Sequence, residues 1–160
     1  MIRVQAEDFD PAAELDALVA GRTDVGAVVT FLGLVREMTG ADTGGARIEA
    51  MTLEHYPGMT EKQLAEIEAE ANRRWPLQAS LIVHRFGRLE PGDRIVYVVT
   101  ASPHRAAAYE ANMFLVDWLK TRAPFWKLED GPEGERWVEA RDSDDDAAGR
   151  WDGGPAKVAE

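Results

Sequence analysis

Residues 94–127 read RIVYVVTASPHRAAAYEANMFLVDWLKTRAPFWK, and this stretch decides the fold class. Arg94 to Ala101 is apolar and β-branched, the signature of a strand. Ser102-Pro103 then opens the longest helix, with the serine read as its cap and His104 and Arg105 in the first turn. That helix runs to about Arg122, and Phe125 to Leu128 resumes as a strand. Strand, long helix and strand in direct succession set the pattern for the rest of the chain.

Working outward, Phe125 to Leu128 pairs with Arg136 to Ala140 as a hairpin around Gly131-Pro132-Glu133-Gly134. Upstream, the turn Glu90-Pro91-Gly92-Asp93 joins Arg94 to a strand at Ser80 to Phe86. Before that, Thr60 with Gln63 reads as a capping box, and Leu64, Ile67 and Ala71 give one apolar helix face ending at Trp75-Pro76. Ile48 to Tyr56 is a strand closed by Pro57-Gly58, and Gly26 to Val35 reads as a buried strand. Between them Glu37 to Arg47 is rich in glycine and polar residues, a candidate lid. Asp10-Pro11 caps a short helix that stops at Gly21, and Ile2 to Ala6 is a short strand. The order fits a single α+β domain over residues 1–151, with a mostly antiparallel sheet and packed helices, followed by a disordered tail at residues 152–160.

Composition narrows the chemistry. The 160 residues are 45% apolar, enough for a real core. Cysteine is absent, which excludes disulfides, thiolate metal sites, cysteine nucleophiles and a carried persulfide. The formal net charge of −11 argues against non-specific nucleic-acid binding, which depends on Lys and Arg neutralising phosphates. No leader-like segment opens the chain and no apolar run spans a bilayer, so the chain reads as soluble and cytoplasmic.

Two clusters carry candidate chemistry. At Ser102-Pro103-His104-Arg105 the helix start offers free N–H groups and a positive dipole end, and two cationic side chains add to it. This is an anion site, or His104 and Arg105 are ordinary exposed residues. The second cluster is Lys120-Thr121-Arg122-Ala123-Pro124-Phe125-Trp126-Lys127. Lys120 and Arg122 suit the C-terminus of the helix on electrostatic grounds alone. Lys127 differs: alternation turns Trp126 and Leu128 to one strand face and Lys127 to the other, where it is either solvated or a base or nucleophile. His104 and Lys120 are sixteen positions apart on one helix, about 24 Å along its axis, so they share a small-molecule pocket only if a second copy brings His104 beside Lys120.

The other features have plainer readings. His55 and His84 stand isolated at strand ends, without metal-ligand spacing, so no metal is expected. Asp142 to Asp146 lacks the glycine and terminal glutamate of a calcium loop. Trp75, Trp118, Trp126, Trp137 and Trp151 read as core or interface residues.

Several stretches together resemble the molybdopterin synthase catalytic subunit family. They are Gly26 to Phe31, Val35-Arg36, Leu53 to Met59 (LEHYPGM), Val83-His84-Arg85, Pro91-Gly92-Asp93, Ser102 to Arg105, Leu119 to Lys127 (LKTRAPFWK) and Arg136-Trp137-Val138, in order from about residue 24 to 151. The resemblance implies an α/β hammerhead fold. It implies conversion of cyclic pyranopterin monophosphate to molybdopterin by insertion of two sulfurs as a dithiolene. It also implies a small ubiquitin-like partner whose C-terminal Gly-Gly thiocarboxylate delivers the sulfur, and a central homodimer flanked by two such partners. No cofactor is implied. A chain without cysteine agrees with an external sulfur donor.

Carried over by position, Lys120 and Lys127 match the family's functional lysines, with roles in proton transfer and stabilisation of intermediates. Arg36, His104 and Arg105 match positions that bind the pterin and its phosphate, the last two donated across the dimer. Phe31, Leu34, Val35, Leu128, Glu129 and Arg141 complete the expected substrate-binding set. The chain departs from the family at Leu34, where a lysine is common, in a longer Gly-rich loop before Ile48, and in the extension after Trp151. Gly153-Gly154 is followed by six residues, so it is not a terminal sulfur-donor motif. A different phosphate-handling transferase would need a metal cluster or glycine-rich phosphate loop, and neither is legible. A non-catalytic binding partner, or a degenerate family member, would not need both lysines.

Overall fold

A computed structural model describes residues 1–37, 49–131, 134–138 and 148–151. Among the described residues the main elements follow in the order β1 (Ile2–Gln5), α1 (Pro11–Val19), β2 (Ala27–Leu34), β3 (Ala50–His55), α2 (Met59–Arg74), β4 (Ala79–Arg85), β5 (Gly87–Leu89), β6 (Arg94–Ser102), α3 (Arg105–Thr121), β7 (Phe125–Gly131) and β8 (Gly134–Val138). The strands form two four-stranded sheets, β1-β4-β6-β2 and β5-β3-β7-β8. β1 pairs with β4 in parallel and all the other described pairings are antiparallel, so the fold is α+β as expected.

Strand alternation builds the layers of the first sheet. Ile82 and Val98 point to one face, where Leu64, Ile67 and Ala71 of α2 and Ala107, Ala111, Phe114 and Leu115 of α3 close the main core. Leu81, Val83, Tyr97 and Val99 point to the other, packing with Phe9, Leu15 and Leu18 under α1. Asn112 ties α3 down: its amide donates to the carbonyls of Val29 and Val98, on neighbouring strands, at 3.1 and 3.2 Å. A third cluster of Val35, Met51, Leu53 and Leu89 fills the junction with the second sheet.

Several local expectations are corrected. β2 is an edge strand rather than a buried one, and its residues alternate half-buried with exposed. Val28, Leu32 and Leu34 stand in the open because α1 covers β4 and β6 but stops short of β2. The cap of α2 is Gly58, whose N–H donates to Glu61 at 2.6 Å; Thr60 is instead buried, its hydroxyl accepting from the Tyr56 N–H. Glu61 wins because the positive φ of Gly58 starts the helix at Met59, which puts Glu61 at the third helical position. Ser102 ends β6 and His104 is the N-cap of α3, because the Ser102 hydroxyl donates to the Pro76 carbonyl. The short strand β5 was not expected at all. Asp10 caps α1 as read, accepting from the N–H groups of Ala12 and Ala13.

Candidate active site

α3 runs unbroken from Arg105 to Thr121 and delivers Lys120 at its C-terminal end. The unsatisfied carbonyls there carry partial negative charge, which favours an ammonium at that position. After a short turn the chain reverses into β7, whose alternation presents Phe125, Lys127 and Glu129 to one face and Trp126 to the other. Trp126 is accordingly exposed, and Lys127 is not simply solvated.

Lys120 and Lys127 meet at one cavity of about 410 Å³, between the two sheets and the end of α3. β2 contributes Phe31, Gly33 and Leu34; β3 contributes Met51 and Leu53; β4 and β6 contribute His84, Ile95 and Val96. Val116, Leu119, Ala123 and Phe125 complete the wall. Gly33 makes room: a Cβ there would lie 2.6 Å from Val96 Cγ1, and the β2–β6 register slips between Gly33 and Leu34. The site is an apolar chamber with two amines at its wall.

Lys127 is held from behind. Its Nζ lies 2.5 Å from Glu129 Oε1, and Glu129 is only 2% exposed. Glu129 does not line the cavity; the structure places it as the partner that aims Lys127. Val35 sits in the junction core beside Met51 and Leu53, and Leu128 pairs across to Thr52 and Trp137 on the opposite strand face from Lys127. Arg36 is exposed just past the end of β2. His104 and Arg105 are exposed at the far end of α3, so within one chain they do not join the lysines. Arg141, residues 38–47 of the candidate lid at Glu37 to Arg47, and the tail at 152–160 lie outside the described residues.

Sequence reading missed His84. It is buried, stacked on Phe125 with ring centroids 3.8 Å apart and planes 15° from parallel, and its Nδ1 lies 2.8 Å from the Arg85 carbonyl. Burial pushes its pKa down to about 4, against the raising effect of that carbonyl, and His55 lowers it further. A signal was present: Phe125 belongs to the lysine motif, but its contact with β4 is long-range and invisible in either local pattern. A larger groove of about 530 Å³ lies between α2 and α3, lined by Glu66, Glu70, Arg73 and Arg122 among others; it holds neither lysine.

A model of the MoaE protein family matches residues 4–122. The chain belongs to this family. Relatives of this MoaE chain include the molybdopterin synthase catalytic subunit of Pseudomonas aeruginosa, 58% identical over 152 residues that cover 94% of this chain and 98% of that one. The molybdopterin synthase catalytic subunit of Escherichia coli is 58% identical over 133 residues, covering 83% and 86%. Among solved structures, the molybdopterin biosynthesis MoaE protein from Burkholderia ambifaria superposes with a TM-score of 0.78 at 52% identity, covering 94% of this chain and 97% of that one. Among the described residues of this MoaE chain, no helix is long and apolar enough to cross a membrane.

Proposed function

We propose that this chain is the catalytic subunit of a molybdopterin synthase, converting cyclic pyranopterin monophosphate to molybdopterin with sulfur from a partner's C-terminal thiocarboxylate. The observation that carries the reading is the convergence of Lys120 and Lys127 on one apolar cavity from two different elements. Amines in a water-poor chamber stabilise oxyanions and donate protons far better than they do in bulk water. Those are the needs of this reaction: charge develops at the thiocarboxylate carbonyl as sulfur leaves it, and oxygen must depart from the pterin side chain. Lys127, fixed by Glu129, suits a stationary electrostatic role. Lys120 sits on the rim at the helix end and suits contact with an entering peptide tail.

A partner that brings the sulfur is required because the chain holds no cysteine. Trp126 and Trp137 stand 48% and 55% exposed on the second sheet, and Trp126 is one residue from Lys127, an apolar surface that suits docking. A second copy of this chain accounts for the uncharged edge strand β2, with Val28, Leu32 and Leu34 exposed, and for His104 and Arg105. His104 and Arg105 serve the pterin phosphate across the dimer.

The test is reconstitution from the purified chain, cyclic pyranopterin monophosphate and a thiocarboxylated small partner, with molybdopterin assayed as its oxidised fluorescent derivative. Product that depends on all three components is expected. A verified complex with a verified donor that yields no product contradicts the reading.

A further inference from the structure

The side chains that line the cavity are apolar or cationic, with one exception. Lys120 and Lys127 are donors only, and the rest are hydrocarbon or thioether apart from His84. The Nδ1 of His84 faces a carbonyl, which can only accept, so that nitrogen carries the proton and Nε2 keeps its lone pair. Nε2 has no hydrogen-bond partner among the described residues, and His84, 8% exposed, lines the cavity. Phe125 clamps the ring from its face, so the orientation is fixed before any ligand arrives. Burial keeps the imidazole neutral at physiological pH.

A pterin entering this chamber brings several N–H groups and loses their water. Each buried donor without an acceptor is costly, and a few placed polar groups in an apolar pocket set ligand orientation. We propose that His84 is a substrate-orienting residue whose Nε2 accepts a hydrogen bond from an N–H of the bound pterin. The inference rests on the function proposed above and names a further contact in the same site. His84 fixes which edge of the heterocycle faces β4, and thereby which side-chain carbons face the lysines.

Two substitutions separate this role from a structural one. His84→Asn keeps a donor for the Arg85 carbonyl but removes the acceptor at the ε position; His84→Gln restores an acceptor there. With the wild type turning over, His84→Asn is expected to raise KM for cyclic pyranopterin monophosphate roughly tenfold while kcat stays within about twofold. His84→Gln is expected to stay within about threefold of the wild-type KM. Equal losses in both variants, or an unchanged KM in His84→Asn, overturn the proposal.

A measurement on the unmodified chain covers the case in which a variant misfolds. With ¹⁵N-labelled histidine, adding cyclic pyranopterin monophosphate is expected to move the Nε2 resonance of His84 upfield and leave its Nδ1 in place. Saturating substrate with no Nε2 shift overturns the proposal and leaves the enzymatic reading untouched. A wild type that makes no product in reconstitution strikes the enzymatic reading itself.

Discussion

Lys127 and Glu129 face each other at 2.5 Å on one side of β7, the lysine at the cavity and the carboxylate sealed behind it. A buried carboxylate depends on its cation, so Lys127→Ala should cost stability as well as activity. About 2–3 kcal/mol is expected, less than a fully buried pair because Lys127 retains solvent contact. Adding Glu129→Gln to Lys127→Ala should recover most of that stability and none of the turnover. Urea denaturation and the product assay on the three variants check both halves.

The length of α3 sets a second prediction. His104 and Lys120 sit at opposite ends of α3, about 24 Å apart, so the proposed active site would have to draw them from two chains. His104→Ala and Lys120→Ala homodimers should both be weak, and verified heterodimers of the two should regain activity. Their ceiling is about half of wild type, because one of two sites is whole. Heterodimers no better than either parent would contradict a shared site.

Acid should weaken the fold through His84. Its pKa is about 4 in the folded chain against an ordinary 6.5, so above 6.5 both states are neutral and its contribution is flat. Below 6.5 the unfolded chain takes up a proton that the folded chain refuses, and stability falls until about pH 4. The loss reaches the order of 3 kcal/mol across that window. Urea midpoints at several pH values for wild type and His84→Gln check it, because the variant should lose the part of the slope between pH 6.5 and 5.

Gly26 makes a backbone contact that only glycine permits. A Cβ there would lie 2.2 Å from the Pro103 carbonyl oxygen, where β2 meets the start of α3. Gly26→Ala should cost about 2–3 kcal/mol and lower Tm by roughly 5–10 °C. Gly149→Ala, with nothing within 4 Å of its Cβ, is the matched control and should stay within about 0.5 kcal/mol.

What could be read from the chain alone follows the range of the interactions. The strand–helix–strand run at 94–127 and the turning of Lys127 to the face opposite Trp126 are local periodicities, and both stand in the structure. The meeting of Lys127 with Lys120 followed from family resemblance, since neither pattern states where the chain reverses. The edge position of β2 escaped reading because an apolar run looks the same in a sheet's centre as at an edge awaiting a partner. The cap of α2 differs from the sequence reading by a local shift, Glu61 closing the box on Gly58, whereas at α3 the Ser102 hydroxyl is held by a long-range contact with the Pro76 carbonyl. His84 was passed over for the same reason: its significance lies in Phe125, forty-one positions away.

The central claim is that the cavity between Lys120 and Lys127 is where sulfur enters the pterin, and Lys120→Ala tests it most directly. Lys120 is exposed at the end of α3, so the substitution should leave folding and partner binding intact. In the reconstituted assay its turnover should fall by about a hundredfold or more, the scale of losing a proton donor or oxyanion partner. Near-normal molybdopterin formation by a folded, partner-bound Lys120→Ala chain would contradict the account.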